Sequence, residues 1–90
     1  MPRSMFNPAY EEVTQLVIKL RKEAGLTQRD LAKRLDRELS FVSRFEHGQR
    51  RLDLVEFVWV CQACDADPAT KGAEVLAAII KRSGSGKKKP

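Results

Sequence analysis

Ninety residues make one domain, near the lower size at which a hydrophobic core sustains itself. With 42% apolar and 32% charged residues the composition fits a soluble helical protein, and no apolar run nears the roughly 20 residues of a membrane span. The net charge of +5 favours a polyanionic partner, and its distribution says more than its size. Residues 10–51 carry ten Lys/Arg against seven Asp/Glu, residues 52–80 one lysine against five acids, and residues 81–90 five bases and no acid. That asymmetry is what a chain with one face turned to a polyanion carries.

Residues 1–7 lack the apolar core of a secretory leader and read as a flexible arm, which places the protein in the cytoplasm. Asn7-Pro8 opens a first helix: Asn caps, and Pro fits the first helical position. Glu11 and Glu12 then sit where the helix dipole favours acids. Val13, Leu16, Val17, Leu20 and Ala24 follow at helical spacing, and Gly25 ends the helix in a left-handed conformation. Thr27 and Asp30 form a capping box for a second helix, Gln28–Leu35, whose inner face is Leu31, Ala32 and Leu35; Leu26 staples onto Leu31. Ala32 is small where two helices cross closely. After a three-residue turn, a third helix over about Leu39–Glu46 buries Val42 and Phe45 and leaves Leu39, Ser40, Ser43 and Arg44 outward.

Gly48 stops that helix, and Gln49-Arg50-Arg51 form a basic loop. Asp53 as cap with Glu56 as return partner, and Leu52 stapled to Phe57, open a fourth helix from about Leu54 to Cys64. Its expected inner face is Leu54, Phe57, Val58, Cys61 and Cys64. Asp67-Pro68 begins a fifth segment, but Lys71 and Gly72 weaken its start, an interior glycine costing about 1 kcal/mol against alanine. The helix is expected to be firm from Ala73 to Arg82. Residues 83–90, SGSGKKKP, read as a disordered basic tail.

The stretch Thr27–Gly48 organises the rest. Leu26-Thr27-Gln28, Leu31-Ala32, Leu35, Val42-Ser43-Arg44, Glu46 and Gly48, followed by Arg50-Arg51-Leu52-Asp53, resemble the lambda-repressor/Cro-like (XRE-type) helix-turn-helix regulators. The resemblance spans roughly residues 20–68. It implies an all-α, five-helix lambda-repressor-like domain over residues 8–82, with its motif at 27–48 and a C-terminal dimerisation helix. It also implies a homodimeric prokaryotic regulator, a repressor, of palindromic double-stranded DNA. The family includes prophage repressors, restriction-modification controllers and antitoxins, so a regulator that also grips a protein partner is the competing reading. The chain departs from the family in the turn, where Asp36-Arg37 replace a glycine and an aliphatic residue, and at Leu39, where a polar base reader is usual.

Ser40, Ser43 and Arg44 are the candidate base readers: hydroxyls meet any base edge, and Arg holds guanine O6 and N7 with two bonds. A merely solvated helix face is the alternative. Leu39 joins them through a thymine methyl or else faces solvent. Phe41 packs against the first motif helix or touches a thymine methyl. Gln28 at a helix start, Arg37 in the turn, and Gln49, Arg50 and Arg51 are the candidate phosphate contacts. Glu46 is expected to orient a neighbouring arginine, and His47 reads as polar surface.

No nucleophile–base set, paired carboxylates or phosphate-binding glycine loop argues for an enzyme or a cofactor. Cys61 and Cys64 have the C-x-x-C spacing, yet a structural zinc site wants four ligands and His47 is the one histidine, so they read as small buried hydrophobes rather than a metal site. Finally, Val55 and Trp59 on helix four, and Leu76, Ile79 and Ile80 on helix five, form an apolar surplus that reads as a dimer interface. The alternative places Trp59 beneath the fifth helix of its own subunit.

Overall fold

The computed structural model describes residues 7–82. Of the expected arm, residues 1–6 lie outside the described residues, as does the tail over 83–90, while Asn7 belongs to the cap of the first helix. Five helices follow one another: α1 (Pro8–Glu23), α2 (Gln28–Leu35), α3 (Leu39–Glu46), α4 (Leu54–Ala63) and α5 (Pro68–Arg82). The described residues contain no strand. The fold is all-α.

Local chemistry sets each start. The Asn7 side chain accepts from the Ala9 and Tyr10 amides at 2.7 and 3.3 Å, with Pro8 next to it. Thr27 with Asp30, and Asp53 with Glu56, form complete capping boxes: each cap side chain accepts the amide three residues on, and each acid accepts the cap amide. Four helices end alike, on a residue of positive φ: Gly25, Asp36, Gly48 and Asp65. At the end of α2, Arg37 N donates to Ala32 O at 2.9 Å and Asp36 N to Lys33 O at 3.1 Å. Those bonds satisfy the last carbonyls and turn the chain sharply into α3.

The core draws on every helix: Val17 and Leu20 from α1, Leu31 and Ala32 from α2, Val42 and Phe45 from α3, Phe57, Val60 and Cys61 from α4, and Val75 from α5. Leu26 and Leu52, the two residues expected to staple helix starts, pack against its margin. The α5 helix lies against α1 and α4, while α2 lies against α3 and α4.

One expectation needs correction. Leu54 is not an inner residue of α4: it is 80% exposed, and Val60 is fully buried in its stead. The sequence LVEFVWVCQA is apolar around its whole circumference, so its period selects no face. Packing selects the stripe Phe57, Val60, Cys61 and Cys64. The fifth helix opens at Pro68, where Asp67-Pro68 placed its start, and it is regular through Lys71 and Gly72 as well as beyond Ala73. Asp67 Oδ2 accepts from both the amide and the hydroxyl of Thr70, at 3.0 and 2.6 Å, and this cap outweighs the weak propensity of Lys71 and Gly72.

Candidate nucleic-acid interface

A buried ionic knot holds the two motif helices on α1. Arg21 Nε donates to Glu46 Oε2 at 2.7 Å, and Nη2 donates to Oε1 at 3.0 Å. The remaining arm, Nη1, donates to Leu26 O at 2.8 Å. Gln28 Nε2 also donates to Glu46 Oε1, at 2.9 Å, so one carboxylate ties α1, α2 and α3 together. Glu46 does orient an arginine, as expected, but the partner lies 25 residues away rather than beside it. This pair fixes the angle at which α3 leaves the body. Gln28, expected at a phosphate, stands at the first position of α2 with its amide turned to that knot.

The outer face of α3 carries Leu39, Ser40 and Arg44, all exposed, with Ser43 half-buried. His47 Nδ1 lies 2.7 Å from Ser43 O, so that nitrogen carries the proton and the ring folds back on the end of the helix. Beside this face lies a groove lined by Asp36, Arg37, Glu38, Ser40, Phe41, Arg44 and Arg50. The turn that leads into it rests on Asp36 at φ 57° and ψ 44°, a conformation that Asp tolerates better than most residues.

Phe41 forms part of the groove wall. Its ring meets Phe45 edge-on, centroids 5.3 Å apart at 80°, so packing is the role the structure supports for it. The Arg37 guanidinium lies 4.3 Å and that of Arg50 4.7 Å from its centroid. Arg50 is further held by Glu56, with Nη1–Oε1 at 3.0 Å and Nη2–Oε2 at 2.9 Å. This donation from Arg50 keeps the Glu56 carboxyl below the ordinary carboxylate range. Arg51 lies 5.1 Å over the ring of Tyr10, whose hydroxyl accepts the Leu52 amide at 2.7 Å. Gln49 is exposed in the same loop.

Of the expected contacts, then, the structure gathers Ser40, Arg44, Arg37 and Arg50 around one groove. Gln28 stands apart at the ionic knot, and Arg51 is laid over α1. Sequence reasoning missed Arg21 as the partner of Glu46 and Phe41 as the seat of two guanidiniums. The signal for Arg21 was its place beside Val17, Leu20 and Ala24 on the inward side of α1.

Elsewhere, Cys61 and Cys64 are buried free thiols that pack in the core, and burial pushes Cys61 up to about 11. Among the described residues no group of three His, Cys, Asp or Glu could hold a metal ion, and no helix is long and apolar enough to cross a membrane. Val55, Trp59, Leu76 and Ile80 are all about half exposed or more, while Ile79 packs partly against the core. Trp59 does not lie beneath α5. It lines a groove with Arg34, Leu35, Arg37 and Phe41, on the side of α4 that faces the motif.

The family profile for the helix-turn-helix domain matches residues 15–73. A solved XRE-family-like protein from Pseudomonas syringae pv. tomato is 37% identical, with 83% of this chain covering 92% of that one at a TM-score of 0.75. The chain belongs to the XRE-type helix-turn-helix family of DNA-binding regulators. Two more distant solved structures share the fold. One is the tetrameric restriction-modification controller C.Esp1396I in complex with its natural 35 base-pair operator, at 20% identity, coverage of 82% and 97%, and a TM-score of 0.71. The other is the clp gene regulator ClgR from Corynebacterium glutamicum, at 20% identity, coverage of 88% and 84%, and a TM-score of 0.70. Among curated proteins no sequence matches the chain.

Proposed function

We propose that this XRE-type protein is a sequence-specific transcriptional repressor of the cytoplasm that binds a palindromic double-stranded operator as a homodimer. The observation that carries this reading is the exposed face of α3, with Leu39, Ser40 and Arg44 outward and the cations Arg37 and Arg50 at its flank. An eight-residue helix raised from the body by a rigid ionic knot has the size to enter a major groove. Leu39, Ser40, Ser43 and Arg44 then meet base edges, while Gln28, Arg37, Gln49, Arg50 and Arg51 meet phosphates. Occupancy alone blocks access to a promoter, which favours repression.

The homodimer is formed by the exposed apolar side chains of α4 and α5: Val55, Trp59, Leu76 and Ile80, with Ile79 behind them. Residues 8–82 are the DNA-binding domain, and the lysines of residues 83–90 add sequence-independent attraction to DNA. Selection from random duplex DNA tests the reading. A palindrome with half-sites about one helical turn apart is the expected product. Enrichment of a lone half-site overturns the homodimer, and failure to enrich any sequence overturns the DNA reader.

A further inference from the structure

The groove beside α3 carries both signs of charge, with Asp36 and Glu38 in its lining, and the placement of its arginines needs an explanation. Arg37, Arg44 and Arg50 all line it, and two of them, Arg37 and Arg50, share a single aromatic ring. Guanidiniums repel one another, and a long side chain has many rotamers in solution, so without a seat Arg37 would move away from Arg50, which Glu56 holds. Phe41 supplies the seat. The negative π cloud of its ring attracts both cations, and its edge-on contact with buried Phe45 at 5.3 Å stops the ring from swinging out. Glu56 draws Arg50 from the far side with two bonds and lies within electrostatic reach of Arg37.

We propose that Phe41 is a positioning residue for DNA binding: it holds Arg37 and Arg50 together as a preformed clamp for one phosphodiester beside the recognition helix. The inference rests on the DNA-binding reading and deepens it. Base contact by Phe41 forms no part of the proposal, because its ring is turned to Phe45 and the two guanidiniums. A clamp already ordered before DNA arrives binds with less loss of side-chain freedom than two free arginines do. Since every duplex presents phosphates, the contribution of Phe41 is independent of sequence.

The experiment measures binding of the full chain to a selected duplex and to an unrelated one, across a salt series. Phe41→Leu keeps an apolar residue against Phe45 but removes the ring face. It is expected to weaken both complexes by the same factor, about two- to tenfold, for the Arg37 side chain that must now be ordered on binding while Arg50 keeps its bonds to Glu56. Phe41→Tyr keeps the ring and restores affinity. In an Arg37→Ala background the loss from Phe41→Leu shrinks by about half or more, because one of its two clients is gone. A thermal melt of each variant confirms that it is folded at the assay temperature. Undiminished binding by Phe41→Leu overturns the proposal, as does a loss confined to the selected duplex, which makes Phe41 a base contact. A full loss that persists without Arg37 overturns it too. Wild-type protein that binds neither duplex at low salt overturns the DNA-binding reading itself, an outcome distinct from the other three.

Discussion

Arg21 in α1 grips Glu46 in α3 through two parallel hydrogen bonds of 2.7 and 3.0 Å, and both side chains are nearly inaccessible, at 12% and 4% exposure. Such a pair is costly to break from one side, because the survivor keeps its charge without its partner. Arg21→Met is therefore expected to lower the unfolding free energy by about 3 kcal/mol, at the lower end for a buried pair because Gln28 still donates to Glu46. Urea denaturation checks this. A change below about 0.5 kcal/mol, the scatter of ordinary surface substitutions, contradicts it.

Two glycines respond oppositely to alanine. Gly25 has φ +75° with open space where a Cβ would stand, so Gly25→Ala bears a backbone penalty alone, about 1 kcal/mol destabilising. Gly72 is helical, and a Cβ there would meet Phe57 Cε2 at 3.9 Å, an ordinary contact. Gly72→Ala is expected to stabilise by about 0.5–1 kcal/mol through helix propensity. Thermal melts of the two variants should move in opposite directions, and a destabilised Gly72→Ala contradicts the account of α5.

Stability should also fall in acid. Arg50 lowers the Glu56 carboxyl below its ordinary 4.5, and the cap bonds lower Asp30 and Asp67 in the same direction. For a carboxyl depressed by folding, the stabilisation is fully present above the unfolded pKa and is lost as the pH falls through the folded one. The expected profile is flat from pH 7 to about 5.5 and declines steadily below about pH 4.5. Glu56→Gln should show a shallower decline. A variant as steep as wild type removes the Arg50–Glu56 pair from the explanation.

How far these features could be read in advance depended on their range. Caps are local, so Asn7, Thr27 with Asp30, and Asp53 with Glu56 were legible from side chains three residues apart. The motif helices were legible because Leu31, Ala32, Val42 and Phe45 leave no second face to bury. In α4 every face is apolar, and only tertiary packing sends Val60 inward and Leu54 outward. The start of α5 obeyed its Asp67 cap over its composition. At the interface, the outward positions on α3 followed from helical period, whereas Arg21 with Glu46 and Phe41 with Arg50 join residues from different elements. Pairings of that kind carry no signal in spacing.

Self-association is expected through the exposed side chains of α4 and α5. Trp59 is 49% and Ile80 62% exposed, unusual for side chains of this size outside an interface. Trp59→Glu combined with Ile80→Glu should give a folded monomer with weakened DNA binding, since neither side chain belongs to the buried core. Sedimentation decides it: wild-type protein that is monomeric at micromolar concentration contradicts the interface, as does a double variant that remains dimeric.

The claim on which the rest depends is that α3 reads bases, and Arg44 is the residue with the chemistry to do so. The direct measurement is the affinity of wild type and Arg44→Ala for the selected operator and for duplexes changed at one base pair at a time. The account predicts a loss of about 1–3 kcal/mol on the operator, with discrimination relaxed at one position of each half-site and preserved at the others. An equal loss on every duplex makes Arg44 a phosphate contact, and unchanged affinity throughout removes α3 from recognition.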